Sequence, residues 1–375
     1  MSRWHKLIYR AETQFDRAFS GVDQGDSLLV QSYLGYGVPG RAFVLGRVLE
    51  DNGVTAATAE DSLWDNLKST WKRFRSGEVA HAELNVTLAA ALNFSQTLRA
   101  DDEGHIAQWL NIPDVEPDED DLLTLGLELT QPKRVPPVRA EASILIPPSN
   151  AQFGVISDVD DTVLQTGATS LRSLAKQVLF GNAYTRLPFE GVAAFYEALG
   201  RGNKGARNPL FYVSSSPWNL YDVLTEFMAL NRIPLGPILL RDWGLSATEL
   251  LPTSHGEHKQ KAIRQILETY PQLPFILIGD SGQEDPEIYH EVVHNFPGRI
   301  LGIYIRDVAD AERRESVQKL ARELAEDGST LMLTEDTAAA AEHAAAQGWT
   351  TADAASEVAE HRAEAAAARE AQKPA

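Results

Sequence analysis

Five short apolar runs in the second half of the chain set the strongest limit on its fold: FGVIS from residue 153, PLFYVS from 209, GPILL from 236, PFILIG from 274 and RILGIYI from 299. Each is too short for a typical helix and is apolar on both faces, as a strand covered on both sides must be. Segments with helical periodicity stand between several of them, among them FEGVAAFYEALG, WNLYDVLTEFMALN and KQKAIRQILETY. Continuous apolar strands alternating with helices predict an α/β domain built on a parallel sheet.

The first half reads differently. Residues 1–25 hold an amphipathic helix, with Trp4, Leu7, Ile8, Ala11, Phe15 and Phe19 at helical spacing and Arg3, Lys6, Arg10 and Arg17 between them. From residue 26 come short β-like runs, SLLVQSYLG, RAFVLGRVL, HAELNVTLAAAL, SQTLRA, HIAQWL, LLTLGLELT and VRAEASILIP, with turn signals such as VPG and DDEG. Strands without interleaved helices predict a mainly β, sandwich-like domain over 26–149, carrying one helical insertion, EDSLWDNLKSTWKRFRSG. The PPSN stretch at 147–150 marks the boundary to an α/β domain over 150–350. The last segment, 351–375, is rich in Ala and Glu, which favour a helix, but has almost no large apolar side chains to pack, so it is expected to be weakly ordered.

Composition removes whole classes of function. With no cysteine there is no disulfide, no thiolate nucleophile and no cysteine-ligated zinc, while oxygen-ligated metals stay open. A formal charge of −19 argues against nucleic acid as a partner, and any phosphate-bearing substrate needs local cations. No window approaches the ~18 apolar residues of a spanning helix. The charged N-terminus lacks a secretory apolar core, and a cytoplasmic location is expected.

In open α/β sheets, ligands bind beyond the carboxyl ends of the strands, and the chemically unusual residues fall there. FGVIS runs into Asp158 and Asp160, then Thr162; LFYV ends in Ser214, Ser215 and Ser216; FILIG ends in DSGQED, with Asp280 and Asp285. Lys259 and Lys261 open the helix between the last two. Carboxylates crowded at one rim repel one another unless a cation joins them. Magnesium prefers oxygen ligands and is commonly shared between one or two carboxylates and a substrate phosphate. Serine hydroxyls and a lysine ammonium suit the phosphoryl oxygens, and one carboxylate can attack while its neighbour moves the proton.

These four motifs, in this order and on these strand ends, resemble the haloacid dehalogenase superfamily of phosphotransferases over roughly residues 150–310. More narrowly, SDVDDTVLQTG, YVSSSPWNLYD, HKQKAIRQIL and FILIGDSGQEDPEIY, with the trailing Gly348 and Trp349, resemble the actin-patch-protein type of phosphatidate phosphatase. The resemblance implies a Rossmann-like domain and a magnesium-dependent phosphomonoesterase acting on phosphatidate. It implies that Asp158 forms an aspartyl-phosphate, that Asp160 is acid and base, and that Asp158, Asp160, Asp280 and Asp285 serve the metal. Thr162, Ser214 and Ser215 would then face the phosphate with Lys259, Lys261 being the reserve for Lys259. A phospholipid substrate brings with it peripheral association with a membrane surface.

Other readings bear on the same residues. Aspartates and serines at strand ends also cap helices, and Pro217 suits a first helical position. His255 and His258 have metal-like spacing but are read as a polar loop, because the acids already supply a site for a hard ion. The basic helix bearing Trp64, Leu67, Trp71 and Phe74 beside Lys68, Lys72, Arg73 and Arg75 is read as packing on the β domain, with a bilayer-facing role as the alternative. At the level of function, the rivals are a phosphatase of protein or other bulky phosphate esters and a catalytically vestigial binding module.

Overall fold

A computed structural model of the chain describes residues 28–50, 77–159, 162–163, 189–203, 205–241, 255–326, 328–334 and 336–372. The expected N-terminal helix, the helical insertion with Trp64 and Trp71, and Asp160 lie outside the described residues. By internal contacts the chain divides into two compact units, the change coming between Pro147 and Pro148.

The first unit holds strands β1 (Leu28–Val38), β2 (Arg41–Glu50), β3 (Glu83–Thr87), β4 (Ser95–Arg99), β5 (His105–Asn111), β6 (Leu122–Gln131) and β7 (Arg139–Leu145). The VPG signal becomes the β1–β2 turn, where Gly40 takes φ 82°, a conformation with no steric cost only for glycine. In place of two separate stacked layers, the strands form one seven-stranded sheet in the order β4-β3-β6-β7-β1-β2-β5. All neighbours are antiparallel except β1 and β7, which run parallel through Gly35–Ile144 and Tyr36–Leu145. The two edge strands meet side to side: Gln96 Nε2 donates to the Asn111 carbonyl at 2.8 Å and the Arg99 amide reaches Gln108 Oε1 at 3.4 Å. The sheet therefore curls around an apolar interior that includes Val44, Val48, Leu84, Val86, Leu98, Ile106, Leu125 and Ile144.

The second unit is α/β. Its strands are β8 (Gly154–Asp158), β9 (Leu210–Pro217), β10 (Ile238–Arg241), β11 (Phe275–Asp280), β12 (Ile300–Arg306) and β13 (Leu331–Thr334). Its helices are α1 (Val192–Arg201), α2 (Tyr221–Leu230), α3 (His255–Thr269), α4 (Asp285–Asn295), α5 (Ala311–Glu326), α6 (Thr337–Ala346) and α7 (Ala352–Gln372). All strand pairs are parallel, in the order β10-β9-β8-β11-β12-β13. Winding leaves β8 in one direction toward β10 and resumes at β11 in the other. The crevice between the carboxyl ends of β8 and β11 is thus the switch point at which such sheets take their ligands.

The expectation of a weakly ordered tail is corrected. Residues 352–372 form α7, which buries Ala354, Ala355 and Val358. Glu357 pairs with Arg201 at 2.6 Å and Arg362 with Asp336 at 3.1 Å. Small residues let the helix lie close to its neighbours, so a single large apolar side chain suffices as an anchor. Before it, Gly348 takes φ 75° and ends α6, the Trp349 amide returning to the Ala344 carbonyl at 2.9 Å. Trp349 settles over β12, where a Cβ on Gly302 would stand 2.6 Å from its Cη2.

Candidate active site

β8 and β11 are apolar along their length and end in acids, so the sheet delivers Asp158 and Asp280 to the switch point with their carboxylates buried. Asp285 arrives by a different route, as the first residue of α4, where a carboxylate is favoured by the helix dipole. Gly279 makes its position possible: a Cβ there would stand 2.6 Å from Asp285 Oδ2. That oxygen accepts the Asp280 amide at 3.2 Å. The three carboxylates bring ligand atoms within 4.8 Å of one another, and among the described residues they are the one such set of three.

Lys259 projects from the first turns of α3 between two of them. Its Nζ lies 2.8 Å from Asp158 Oδ1 and 2.5 Å from Asp285 Oδ1, with the side chain 4% exposed. Burial alone pushes a lysine down, but the charges of Asp158 and Asp285 outweigh it and hold Lys259 above its ordinary pKa. Lys261 is exposed on the other side of the helix, so of the two lysines Lys259 is the one that meets the acids. Asp280 is oriented by its own loop: Oδ1 accepts the Gly282 amide at 2.7 Å and the Gln283 amide at 3.0 Å, and Oδ2 accepts Gln283 Nε2 at 3.2 Å. Gln283 Oε1 in turn stands 3.4 Å from Lys259 Nζ.

Ser214 lies one residue past Val213, the partner of Asp158 in the adjacent strand, and so stands at the same rim. Its Oγ accepts the Ser216 amide at 3.0 Å, the capping geometry, and Ser214, Ser215 and Ser216 are all buried. Thr162 is buried and lines a small cavity with Tyr196, Arg306 and Thr337; its Oγ1 meets no hydrogen-bond partner among the described residues. His258 sits on α3 rather than in a loop, bonded to the Leu239 backbone, and burial pushes its pKa down to about 4. It has no place among the acids.

Three contributors escaped the sequence reading. Gln283 links Lys259 to Asp280, although it lies inside a motif singled out for its acids. Arg306 ends β12 directly opposite Asp280 in register, with Cζ 3.8 Å over the Phe189 ring and Nη2 donating to Thr337 Oγ1 at 3.0 Å. Burial pushes its pKa down to about 10. The signal for it was available: RILGIYIR ends in a cation where the neighbouring strands end in acids. Arg313, on α5, reaches back to the loop that follows Asp280, donating from Nε to the Ser281 carbonyl at 2.9 Å and from Nη2 to the Gln283 carbonyl at 2.6 Å.

Three buried carboxylates, with the Lys259 ammonium between two of them and Arg306 across the sheet from Asp280, still leave a local formal excess of negative charge with oxygen donors only. That donor set fits magnesium, which takes carboxylate oxygens and keeps water or substrate oxygens at its other positions.

Residues 153–307 match the family described as "Phosphatidate phosphatase APP1, catalytic domain". Phosphatidate phosphatase APP1 of Saccharomyces cerevisiae is 36% identical over 154 residues, 41% of this chain and 26% of that protein. An uncharacterized protein of Schizosaccharomyces pombe is 32% identical over 159 residues, 42% of this chain and 25% of its own length. The chain thus spans about a quarter of the curated relatives it matches. The resemblance expected from SDVDDTVLQTG and its companion motifs is thereby shown: over residues 153–307 the chain is similar to the catalytic domain of the APP1 phosphatidate phosphatases.

Proposed function

We propose that the chain is a phosphomonoesterase that hydrolyses phosphatidate to diacylglycerol and phosphate at a cytoplasmic membrane surface, through a haloacid dehalogenase-type site. The observation that carries this reading is the convergence of Asp158, Asp280 and Asp285 with Lys259 at the switch point of a parallel sheet. Nothing in the packing of that sheet calls for so much buried charge, whereas phosphoryl transfer does.

On this reading a carboxylate oxygen of Asp158 attacks phosphorus, and the bond to the glycerol oxygen breaks as Asp160 gives that oxygen its proton. Asp160 then takes a proton from water, which attacks phosphorus of the aspartyl-phosphate and regenerates Asp158. Lys259 and Ser214 hold the phosphoryl oxygens in line, while Thr162 and Ser215 complete the surrounding donors. Asp158, Asp280, Asp285 and the backbone of Asp160 would hold magnesium, which supplies positive charge against the developing negative charge on phosphorus. No helix among the described residues is long and apolar enough to cross a membrane. The substrate's acyl chains would stay in their bilayer while its headgroup enters the rim.

The test is phosphate release by the purified full chain from phosphatidate-containing vesicles, with magnesium or with chelator. Release that needs magnesium is expected. Hydrolysis of a small soluble phosphate ester without release from vesicles would overturn the lipid assignment, and full release in chelator would overturn the acid site.

A further inference from the structure

We propose that Arg313 is a positioning residue of the acid site, the group that aims the loop amides at Asp280 and so sets the affinity for the metal. This deepens the reading of the site given above and rests on it. Arg313 lies beyond residues 153–307, so the family match gives it no role.

The segment from Ser281 to Glu284 joins Asp280 at the end of β11 to Asp285 at the head of α4. Arg313 grips it twice, at the carbonyls of Ser281 and Gln283, at 2.9 and 2.6 Å. The same guanidinium forms a fork with Glu287 in the first turn of α4, Nη2 donating to Oε2 at 2.7 Å and Nη1 to Oε1. This pairing holds the Glu287 carboxyl below its ordinary range. The arginine is itself fixed where α5 begins, its amide donating to Asp310 Oδ1 at 3.0 Å. One planar group therefore ties both acid-bearing segments to α5.

The Ser281 carbonyl is the informative contact. It belongs to the same peptide group as the Gly282 amide, which donates to Asp280 Oδ1 at 2.7 Å. A trans peptide is rigid, with its carbonyl and its N–H pointing in opposite directions. Holding the carbonyl on Arg313 therefore points the N–H at Asp280. With no Cβ at Gly282 to limit rotation, the direction of this peptide is held by its two ends, the carbonyl on Arg313 and the N–H on Asp280. Ser281 Oγ adds a tie on the β12 side, accepting the Val308 amide at 3.0 Å, but that bond leaves the orientation of the 281–282 peptide open.

Electrostatics and positioning predict opposite signs, which makes the idea testable. Removing a cation near a divalent-metal site tightens metal binding by Coulomb's law. Removing a group that orients a metal ligand weakens it, typically by 10- to 100-fold. The experiment measures the dissociation constant of manganese, as the paramagnetic stand-in for magnesium, on the full chain without substrate, together with magnesium competition. Arg313→Gln and Arg313→Lys are compared with Arg322→Gln, an exposed charge on the same helix. Both Arg313 variants are expected to raise the dissociation constant about 10-fold, since lysine keeps the charge but cannot bridge two carbonyls and a carboxylate. Arg322→Gln should leave it unchanged, and saturating magnesium should restore most of kcat in Arg313→Lys. If Arg313→Gln does not fold, Arg313→Lys decides. Binding that is unchanged or tighter in the folded Arg313 variants would overturn this inference alone. Wild-type protein that takes up no manganese would overturn the metal-site reading and this inference with it.

Discussion

The two units differ in what they gather out of water. The interior of the curled sheet is an apolar cluster in which Val44, Leu84, Leu98 and Leu125 exclude water. The parallel sheet has a similar apolar body, in Val155, Phe211, Ile276 and Ile303, but at the carboxyl ends of its strands it buries Asp158, Lys259, Asp280 and Asp285. Taking charges out of water costs several kcal/mol per ion even when they are paired; the first unit buries single charged groups such as Arg47 and Asp121, whereas the second gathers three carboxylates and a lysine at one rim. The contrast teaches where to look for chemistry: the site is where a fold departs from the rules that stabilise it elsewhere.

Substitutions in each unit test this contrast. The largest effect should come from Asp158→Asn, which keeps the shape and removes the nucleophile. Turnover should fall at least about 1000-fold while circular dichroism stays that of the wild type. Retained turnover would remove Asp158 from the mechanism and, with it, the reason for the buried rim. Lys259→Met comes next: it leaves Asp158 and Asp285 uncompensated and should cost ~3–5 kcal/mol in urea unfolding without metal, part of which magnesium restores. A cost that magnesium does not touch would make Lys259 a structural ion pair. Leu84→Ala, in the curled sheet, should cost roughly 2–5 kcal/mol through the cavity it opens, and magnesium should make no difference.

The smallest effect concerns pH. His258 is held down to about 4 by burial, against an ordinary histidine value of ~6.5. Between those values the unfolded chain binds a proton that the folded chain refuses. The stability associated with His258 is thus fully present above pH ~6.5 and fades as the pH falls toward 4. The loss is on the order of 2 kcal/mol once partial exposure is allowed for. His258→Gln should flatten the stability profile over that interval, and an identical profile would show that the imidazole titrates freely in the folded protein.

Much of this contrast could be read from the chain itself. The parallel strands are legible because a strand covered on both faces has no polar alternation, and the acids stand out because each directly follows such a run. Lys259 and Lys261 could not be separated in the sequence, as residues two apart point to different sides of a helix and only the packing of α3 says which side is inward. Arg313 was invisible for a related reason: in AERRESVQKLARELAE it looks like any solvated helix charge, and its function comes from a loop thirty residues earlier in the chain. The curling of the first sheet was missed because edge strands that meet through Gln96 and Gln108 leave no pattern of hydrophobicity. The tail is legible as helical from its alanines and glutamates, but its packing is not, because alanine packs by proximity and hydrophobic periodicity does not record it.

Gly302 and Trp349 carry a consequence for how sequences of this kind drift. The indole occupies the space that any side chain at 302 would need, a Cβ there falling 2.6 Å from Cη2. Position 302 is not free to vary while the ring at 349 stays in place. A larger residue at 302 is admissible only after the ring at 349 has been lost, and the ring can return only onto a glycine. The two positions form an ordered pair of evolutionary steps, separated in sequence by two βα units, β12–α5 and β13–α6, and in space by a single van der Waals contact. Related chains that keep this helix over β12 should therefore show the two changing together, and a chain with a bulky residue at the first position and tryptophan at the second must pack its last helices differently.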